Sequence, residues 1–115
     1  MHEMSIATSV LEAVDAEAQR HPGSKVIKIG LRIGEWSGVD PEALRFCFEA
    51  LAAGDGPAAP LIEIDFRPRQ NRCPQCGSVF AIKEFDIQCP ECGAEMTDPV
   101  SGNELEVAFI ELEEP

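Results

Sequence analysis

One short pattern occurs twice in the chain and constrains what can fold around it: Cys73-Pro74-Gln75-Cys76-Gly77 and Cys89-Pro90-Glu91-Cys92-Gly93 are both C-P-x-C-G. Two residues between cysteines let one tight turn aim both sulfurs at a single ion, and the glycine that follows supplies the positive φ such a turn needs. Two facing knuckles complete a tetrahedron, with sulfur distances of about 2.3 Å if the ion is zinc. A rubredoxin-type iron uses similar knuckles, and two disulfides are the remaining alternative. The surrounding residues 68–102 carry Pro68, Pro74, Pro90 and Pro99 instead of a periodic apolar pattern. So little apolar content needs a staple, which favours a structural zinc held by Cys73, Cys76, Cys89 and Cys92. A cytosolic setting disfavours disulfides. Four thiolates leave no open coordination position, so chemistry at this ion is not expected.

The rest of the chain is periodic. From Glu3 to about Arg20, Ile6, Ala7, Val10, Leu11, Val14 and Ala18 recur at helical spacing, and His21-Pro22-Gly23 ends the helix. Lys25–Ile33 alternates, with Ile27, Ile29, Leu31 and Ile33 on one face of a strand. Asp40-Pro41-Glu42 reads as N-cap, first helical proline and first-turn acid of a second helix to about Ala53, whose apolar set is Leu44, Cys47, Phe48 and Leu51. Gly54–Pro60 is too rich in breakers to be anything but loop. Leu61–Arg67 and Glu104–Leu112 alternate as strands, the last through Leu105, Val107 and Phe109. The expectation is an α+β fold: a small three-stranded sheet covered by two helices, with an inserted zinc-ribbon-like four-cysteine module. Residues 1–67 plus 103–115 form one domain and 68–102 the other. Strand order stays open.

With 115 residues, 9 basic and 21 acidic side chains and a net charge of -12, the surface repels phosphate backbones and anionic lipid. Neither nucleic acid nor membrane is expected as a partner. No stretch approaches the roughly 20 apolar residues that span a bilayer, and the N-terminus lacks the features of a secretory signal, so a soluble, cytoplasmic protein is expected. Arg67, Arg69 and Arg72 read as a solvated edge, Cys47 as a core cysteine, and His21 as a histidine at a helix end, where the dipole favours it. There is no Gly-rich phosphate loop and no Tyr, and nothing assembles a catalytic constellation. The chain is not expected to be an enzyme.

Met1-His2-Glu3 is the other chelating candidate. Methionine aminopeptidase acts where the second residue is small, so His2 is expected to leave Met1 and its α-amine in place. An α-amine, the backbone nitrogens after it and the next imidazole bind one ion in fused rings, a planar, nitrogen-rich set suited to Ni(II) or Cu(II).

The opening Met1-His2-Glu3-Met4-Ser5-Ile6, the segment Gly34-Glu35-Trp36-Ser37-Gly38-Val39-Asp40-Pro41-Glu42 with Leu44, Phe46, Phe48 and Glu49 after it, and the paired knuckles, in this order and spacing, closely resemble the HypA/HybF family of hydrogenase nickel-incorporation proteins. The resemblance implies a nickel metallochaperone that helps load the [NiFe] centre of hydrogenase, acting with a nickel-insertion GTPase and on the hydrogenase large subunit, as a monomer or weak homodimer. It implies that His2 is the indispensable ligand of labile Ni(II), joined by the Met1 amine and the backbone nitrogens of His2 and Glu3. The Glu3 carboxylate tunes that site, and Asp40 occupies a family position linked to nickel, in competition with its N-cap role. The four knuckle cysteines match structural Zn(II) ligands. Some family members recruit a further histidine near the end of the zinc module; here none follows His21, and Asp98, in that region, is given no role. The competing reading is a zinc-stapled protein-interaction module without nickel binding; a rubredoxin-like electron carrier would be red and redox-active.

Overall fold

In the computed structural model, which describes residues 3–115, helix α1 (Glu3–Ala18) is followed by strand β1 (Lys25–Gly34), helix α2 (Pro41–Leu51), a 3-10 segment (Ala53–Ala58) and strand β2 (Leu61–Arg67). Three short strands then occupy the cysteine-rich segment: β3 (Gln70–Arg72), β4 (Val79–Ala81) and β5 (Asp98–Ser101). Strand β6 (Leu105–Glu113) closes the chain. There are two three-stranded sheets, ordered β2-β1-β6 and β4-β3-β5.

β1 is the middle strand of the first sheet, and it is the most apolar. The crossover through α2 brings β2 alongside it in parallel, and the chain returning from the cysteine module lays β6 antiparallel on its other side. Ile29, Leu31 and Ile33 are buried under the helices with Ala7, Val14, Val39, Leu44 and Phe48, and Ile6, Val10, Leu11, Val26, Cys47, Ile62, Ile64 and Ile110 pack around them. Cys47 is thus half-buried against the core, as its place on the apolar stripe implies. Asp40 starts α2 as read: its Oδ1 accepts from the N–H of Glu42 (2.9 Å) and of Ala43 (3.4 Å). The Arg45 guanidinium bonds the Ile62 carbonyl at 2.7 Å and ties α2 to β2.

Three local readings are corrected. Ile27 does not share the core face of Ile29: the β1–β6 register slips between Val26 and Lys28, and Val26 takes the inward place. A second slip makes Ala108 the extra residue of β6, so the alternation through Leu105 and Val107 changes face before Phe109, which lies opposite Gly30 and sets its ring over it. A bulge shifts side-chain parity by one, and alternation alone does not reveal it. Finally, the breaker-rich stretch after α2 is a 3-10 segment with a kink at Gly56, not a plain loop. Glycines and proline defeat an α-helix but not short i to i+3 turns.

On the face away from the helices the sheet is charged. Arg32 meets Glu106 at 2.7 Å and Asp65 at 3.6 Å, and Arg67 meets Asp65 at 2.8 Å. The Arg67 hydrogen bond is the main reason the Asp65 carboxyl sits below its ordinary range. No helix among the described residues is long and apolar enough to cross a membrane.

Candidate metal centre and the neck beneath it

The two knuckles repeat at the level of single hydrogen bonds. Gly77 N–H bonds the Cys73 carbonyl (2.9 Å) and Cys73 N–H bonds the Ser78 carbonyl (2.9 Å); Gly93 with Cys89 (3.0 Å) and Cys89 with Ala94 (2.9 Å) do the same in the second. Gly77 and Gly93 have φ of 78° and 79°, the left-handed conformation that glycine adopts at no steric cost. The two turns face each other. All four Sγ atoms lie within 4.8 Å of one another, with Cys73 to Cys92 at 3.4 Å and Cys76 to Cys89 at 3.6 Å. A zinc tetrahedron with bonds of about 2.3 Å has sulfur–sulfur edges of about 3.8 Å, so the cluster is shaped for one ion. These separations far exceed the disulfide bond length of about 2.05 Å, and all the cysteines are free thiols.

The four thiols are not equivalent. Cys73 and Cys89, first in each knuckle, are buried, whereas Cys76 and Cys92 are exposed. The Cys76 N–H points at the Cys73 sulfur and pulls its pKa down to about 7; the Cys92 N–H lowers that of Cys89. At Cys92 the Ala94 N–H also pulls down, but the neighbouring sulfurs of Cys73, Cys89 and Cys76, together with burial, outweigh it and push the thiol up to about 12. At Cys76 the Ser78 N–H pulls down, but desolvation and the sulfurs of Cys89 and Cys73 outweigh it and raise the thiol. Negative charge collected on two sulfurs makes the other two hold their protons, and a dication in the centre reverses that. Zinc uptake at pH 8 is therefore expected to release fewer than four protons per ion, because the Cys73 thiol has already lost its own, which calorimetry in buffers of different ionisation enthalpy measures.

Below the thiol cluster, Asn71 is buried and its Nδ2 donates to Thr97 Oγ1 (3.0 Å), while the Thr97 hydroxyl donates to the Ile87 carbonyl. Sequence reading missed this stitch and the whole β4-β3-β5 sheet, whose strands are three or four residues long and too short for a periodic signal.

Two chain segments join this module to the α/β body, and β1 runs out between them. Gly34 N–H bonds the Glu104 carbonyl (2.7 Å), Glu35 N–H the Arg67 carbonyl (2.8 Å) and Trp36 N–H the Gly102 carbonyl (2.7 Å). The Glu35 carboxylate accepts from the Arg69 N–H at 2.8 Å. The expectation of a solvated arginine edge is corrected at Arg69, whose guanidinium lies over the Trp36 ring, 3.8 Å from its centroid. The aromatic partner comes from a distant part of the chain, so it was invisible to a search for interleaved aromatics. Arg72 is exposed, and Asp98 lies opposite it in register.

The nickel candidates Met1 and His2 lie outside the described residues. Glu3 is the first residue of α1, and its carboxylate accepts from the backbone N–H of Asp40 at 3.3 Å. The structure thus brings Glu3 and Asp40 together at the adjoining starts of the two helices, while Asp40 Oδ1 caps α2. His21 stands beyond the far end of α1, 3.7 Å from Glu17.

A compact α/β body with an apical cage of four thiols defines a small metal-handling protein. The comparisons agree: residues 1–112 match the family model described as hydrogenase/urease nickel incorporation, metallochaperone, hypA. The hydrogenase maturation factor HypA of Chlorobium luteolum is 41% identical over 114 residues, 99% of this chain and 97% of that one, and its namesake in Geobacter sulfurreducens is 41% identical over 113 residues, 98% and 100%. The fold is also that of the solution structure of the Ni metallochaperone HypA from Helicobacter pylori (TM-score 0.63, 22% identity, 100% of both chains) and of a second HypA solution structure (TM-score 0.68, 23% identity, 98% and 97%). The chain belongs to the HypA family of nickel metallochaperones for hydrogenase maturation.

Proposed function

We propose that this chain binds Ni(II) at its N-terminus, through the Met1 α-amine, the His2 imidazole and the backbone nitrogens of His2 and Glu3, and passes it to the [NiFe] centre of hydrogenase. The observation that supports the reading is the bond between the Glu3 carboxylate and the Asp40 N–H, which anchors Glu3, the residue that follows Met1 and His2 in the sequence, to the N-cap of α2. Nickel is cargo: a planar nitrogen site is open above and below, so incoming ligands attack it and remove the ion. A nickel-insertion GTPase and the hydrogenase large subunit are the partners, the compartment is the cytoplasm, and the chain is a monomer or weak homodimer. It works by handing over an ion, not by catalysis.

Cys73, Cys76, Cys89 and Cys92 hold Zn(II) in this reading. Zinc, when bound, supplies the bonds that fold the module in place of a hydrophobic core. The four thiols also suit iron, and metal analysis of the isolated protein separates the two.

The test is nickel titration of tag-free protein with its native Met1 against the same protein with an N-terminal extension, which blocks the α-amine and leaves every side chain intact. The native form is expected to bind one nickel that the extended form cannot, and His2→Ala to lose it while keeping the fold. Affinity is expected to fall as pH drops from about 8 to 6, because protons compete for the α-amine and the imidazole, with ordinary pKa values near 7.7–8.0 and 6.5. Equal binding by native and extended protein would put the nickel site elsewhere on the chain, and none by either would leave a zinc-stapled interaction module.

A further inference from the structure

Gly77–Gln88 is a loop whose two flanking residues, Cys76 and Cys89, are both in the thiol cluster, with their sulfurs 3.6 Å apart. Its tip is a tight hairpin turn in which Lys83 pairs with Asp86 and Asp86 N–H bonds the Lys83 carbonyl at 3.0 Å. The two central residues, Glu84 and Phe85, have φ of 51° and 67° and are the only non-glycine residues with positive φ among the described residues. A two-residue turn of this form is the one that prefers Asn-Gly, so a glutamate and a bulky aromatic here are held against their preference.

What Phe85 gains is a contact on the other part of the molecule. Its ring meets Trp36 edge to face, with centroids 4.8 Å apart and planes at 81°, although Phe85 is otherwise 75% exposed. Trp36 therefore lies between a side chain from the cysteine module's hairpin and Arg69, which stacks on it at 3.8 Å from the neck. Its own N–H is tied to the Gly102 carbonyl on the returning segment. The strained turn and the aromatic contact oppose each other, and both are small. The hairpin is held by the pairing of β4 with β3 and from its two ends, and those ends are metal-ligand candidates.

We propose that Phe85, Trp36 and Arg69 form a metal-dependent clasp, positioning residues that fix the cysteine module on the α/β body only while the ion in the four-cysteine cage closes the Gly77–Gln88 loop. The inference rests on the reading that the cage holds zinc. Loss of the ion frees both ends of the loop, the turn relaxes, Phe85 leaves the indole, and the module loses its fixed orientation. The protein then presents its two parts in one arrangement to a maturation partner only when zinc-loaded.

Trp36 is the sole tryptophan and there is no tyrosine, so indole fluorescence reports the surroundings of this one ring. Zinc removal from the full chain by a strong chelator is expected to shift its emission to the red and to raise its accessibility to acrylamide, both reversed by adding zinc. Phe85→Ala should show the shifted emission while still zinc-loaded and lose most of the zinc-dependent change. The double variant Glu84→Asn, Phe85→Gly should do the same; its turn is the favoured Asn-Gly form, so misfolding of the hairpin is no explanation for the loss. In both variants, backbone ¹⁵N relaxation should give the two sheets separate tumbling times where zinc-loaded wild type gives one. A zinc-loaded protein whose Trp36 emission ignores chelation, or variants that respond as wild type does, overturns the clasp and leaves the cage reading intact. A protein that takes up no zinc overturns the cage reading and the clasp's trigger with it.

Discussion

A Cys73→Ser protein is expected to lose its zinc and with it the fold of residues 70–101, while the α/β body stays folded. The cysteine module has almost no core of its own: its buried residues are Asn71, Cys73, Ile82, Cys89 and Thr97, of which only Ile82 is aliphatic. Burying one aliphatic side chain contributes only about 1.5–3 kcal/mol, far below the cost of ordering some thirty residues at about 1–2 kcal/mol each. Zinc bound by small domains contributes roughly 10–16 kcal/mol, far more than that one side chain, so losing the ion unfolds the module. Cys73 is the sharpest position to test, because it is fully buried and is the thiol most readily deprotonated. The body has independent support, since the core around Ile29, Leu44 and Phe48 lies wholly within it. Amide resonances of α1, β1 and α2 should keep their dispersion while those of β3, β4 and β5 collapse, and metal analysis should find less than one zinc per chain. Collapse of the whole spectrum would mean that the neck carries cooperativity between the two parts.

The residues whose role is set by local spacing were legible in the sequence. Both knuckles, their glycines at positive φ, the cap at Asp40 and the three strands of the first sheet follow from patterns a few residues long, and the structure has all of them. Parallel pairing of β1 with β2 was permitted by the crossover through α2, and only the packed structure selects the order β2-β1-β6. The slips at Ile27 and Ala108 were not legible, because a bulge is fixed by how two strands fit and neither strand alone encodes it.

The segment Gly34-Glu35-Trp36 is the instructive case. It carried part of the family resemblance, yet periodicity could say nothing of its purpose, since it is neither helix nor strand interior. The structure shows that every one of its residues holds the neck: each backbone N–H bonds one of the two connecting segments, the Glu35 side chain takes a fourth bond and the Trp36 ring receives Arg69 and Phe85. The partners lie more than thirty residues away in sequence, which puts the arrangement beyond any local reading. The proposed terminal nickel ligands Met1 and His2 are the reverse case: chemistry and family likeness point to them, and they lie outside the described residues.

Gly34→Ala is expected to be the most damaging single methyl group that can be added to this chain. A Cβ at Gly34 would fall inside the contact distance of the Gly102 carbonyl carbon and oxygen and 2.6 Å from the Asn103 nitrogen, all backbone atoms that cannot rotate away. The opposing residue cannot yield either: Gly102 has a φ of 114° and sits so close to Arg69 that its own Cβ would lie 2.7 Å from the Arg69 Cα. Two glycines back to back are what let β1 run between the segments entering and leaving the module. Overpacking in a well-filled site costs typically about 1–3 kcal/mol, and here relief also requires breaking the Gly34–Glu104 and Trp36–Gly102 hydrogen bonds at about 1 kcal/mol each, for a loss of about 3–5 kcal/mol. For a chain of this size that is a fall in melting temperature of at least 10 °C, measurable by calorimetry on zinc-loaded protein. Gly38→Ala is the matched control. Its φ of 82° strains an alanine, but nothing lies within 4 Å of the added carbon, so its cost is conformational only, about 1–2 kcal/mol. If the two substitutions cost the same, the close approach at the neck is not what Gly34 is for, and the methyl group is absorbed by a shift of the module against the body.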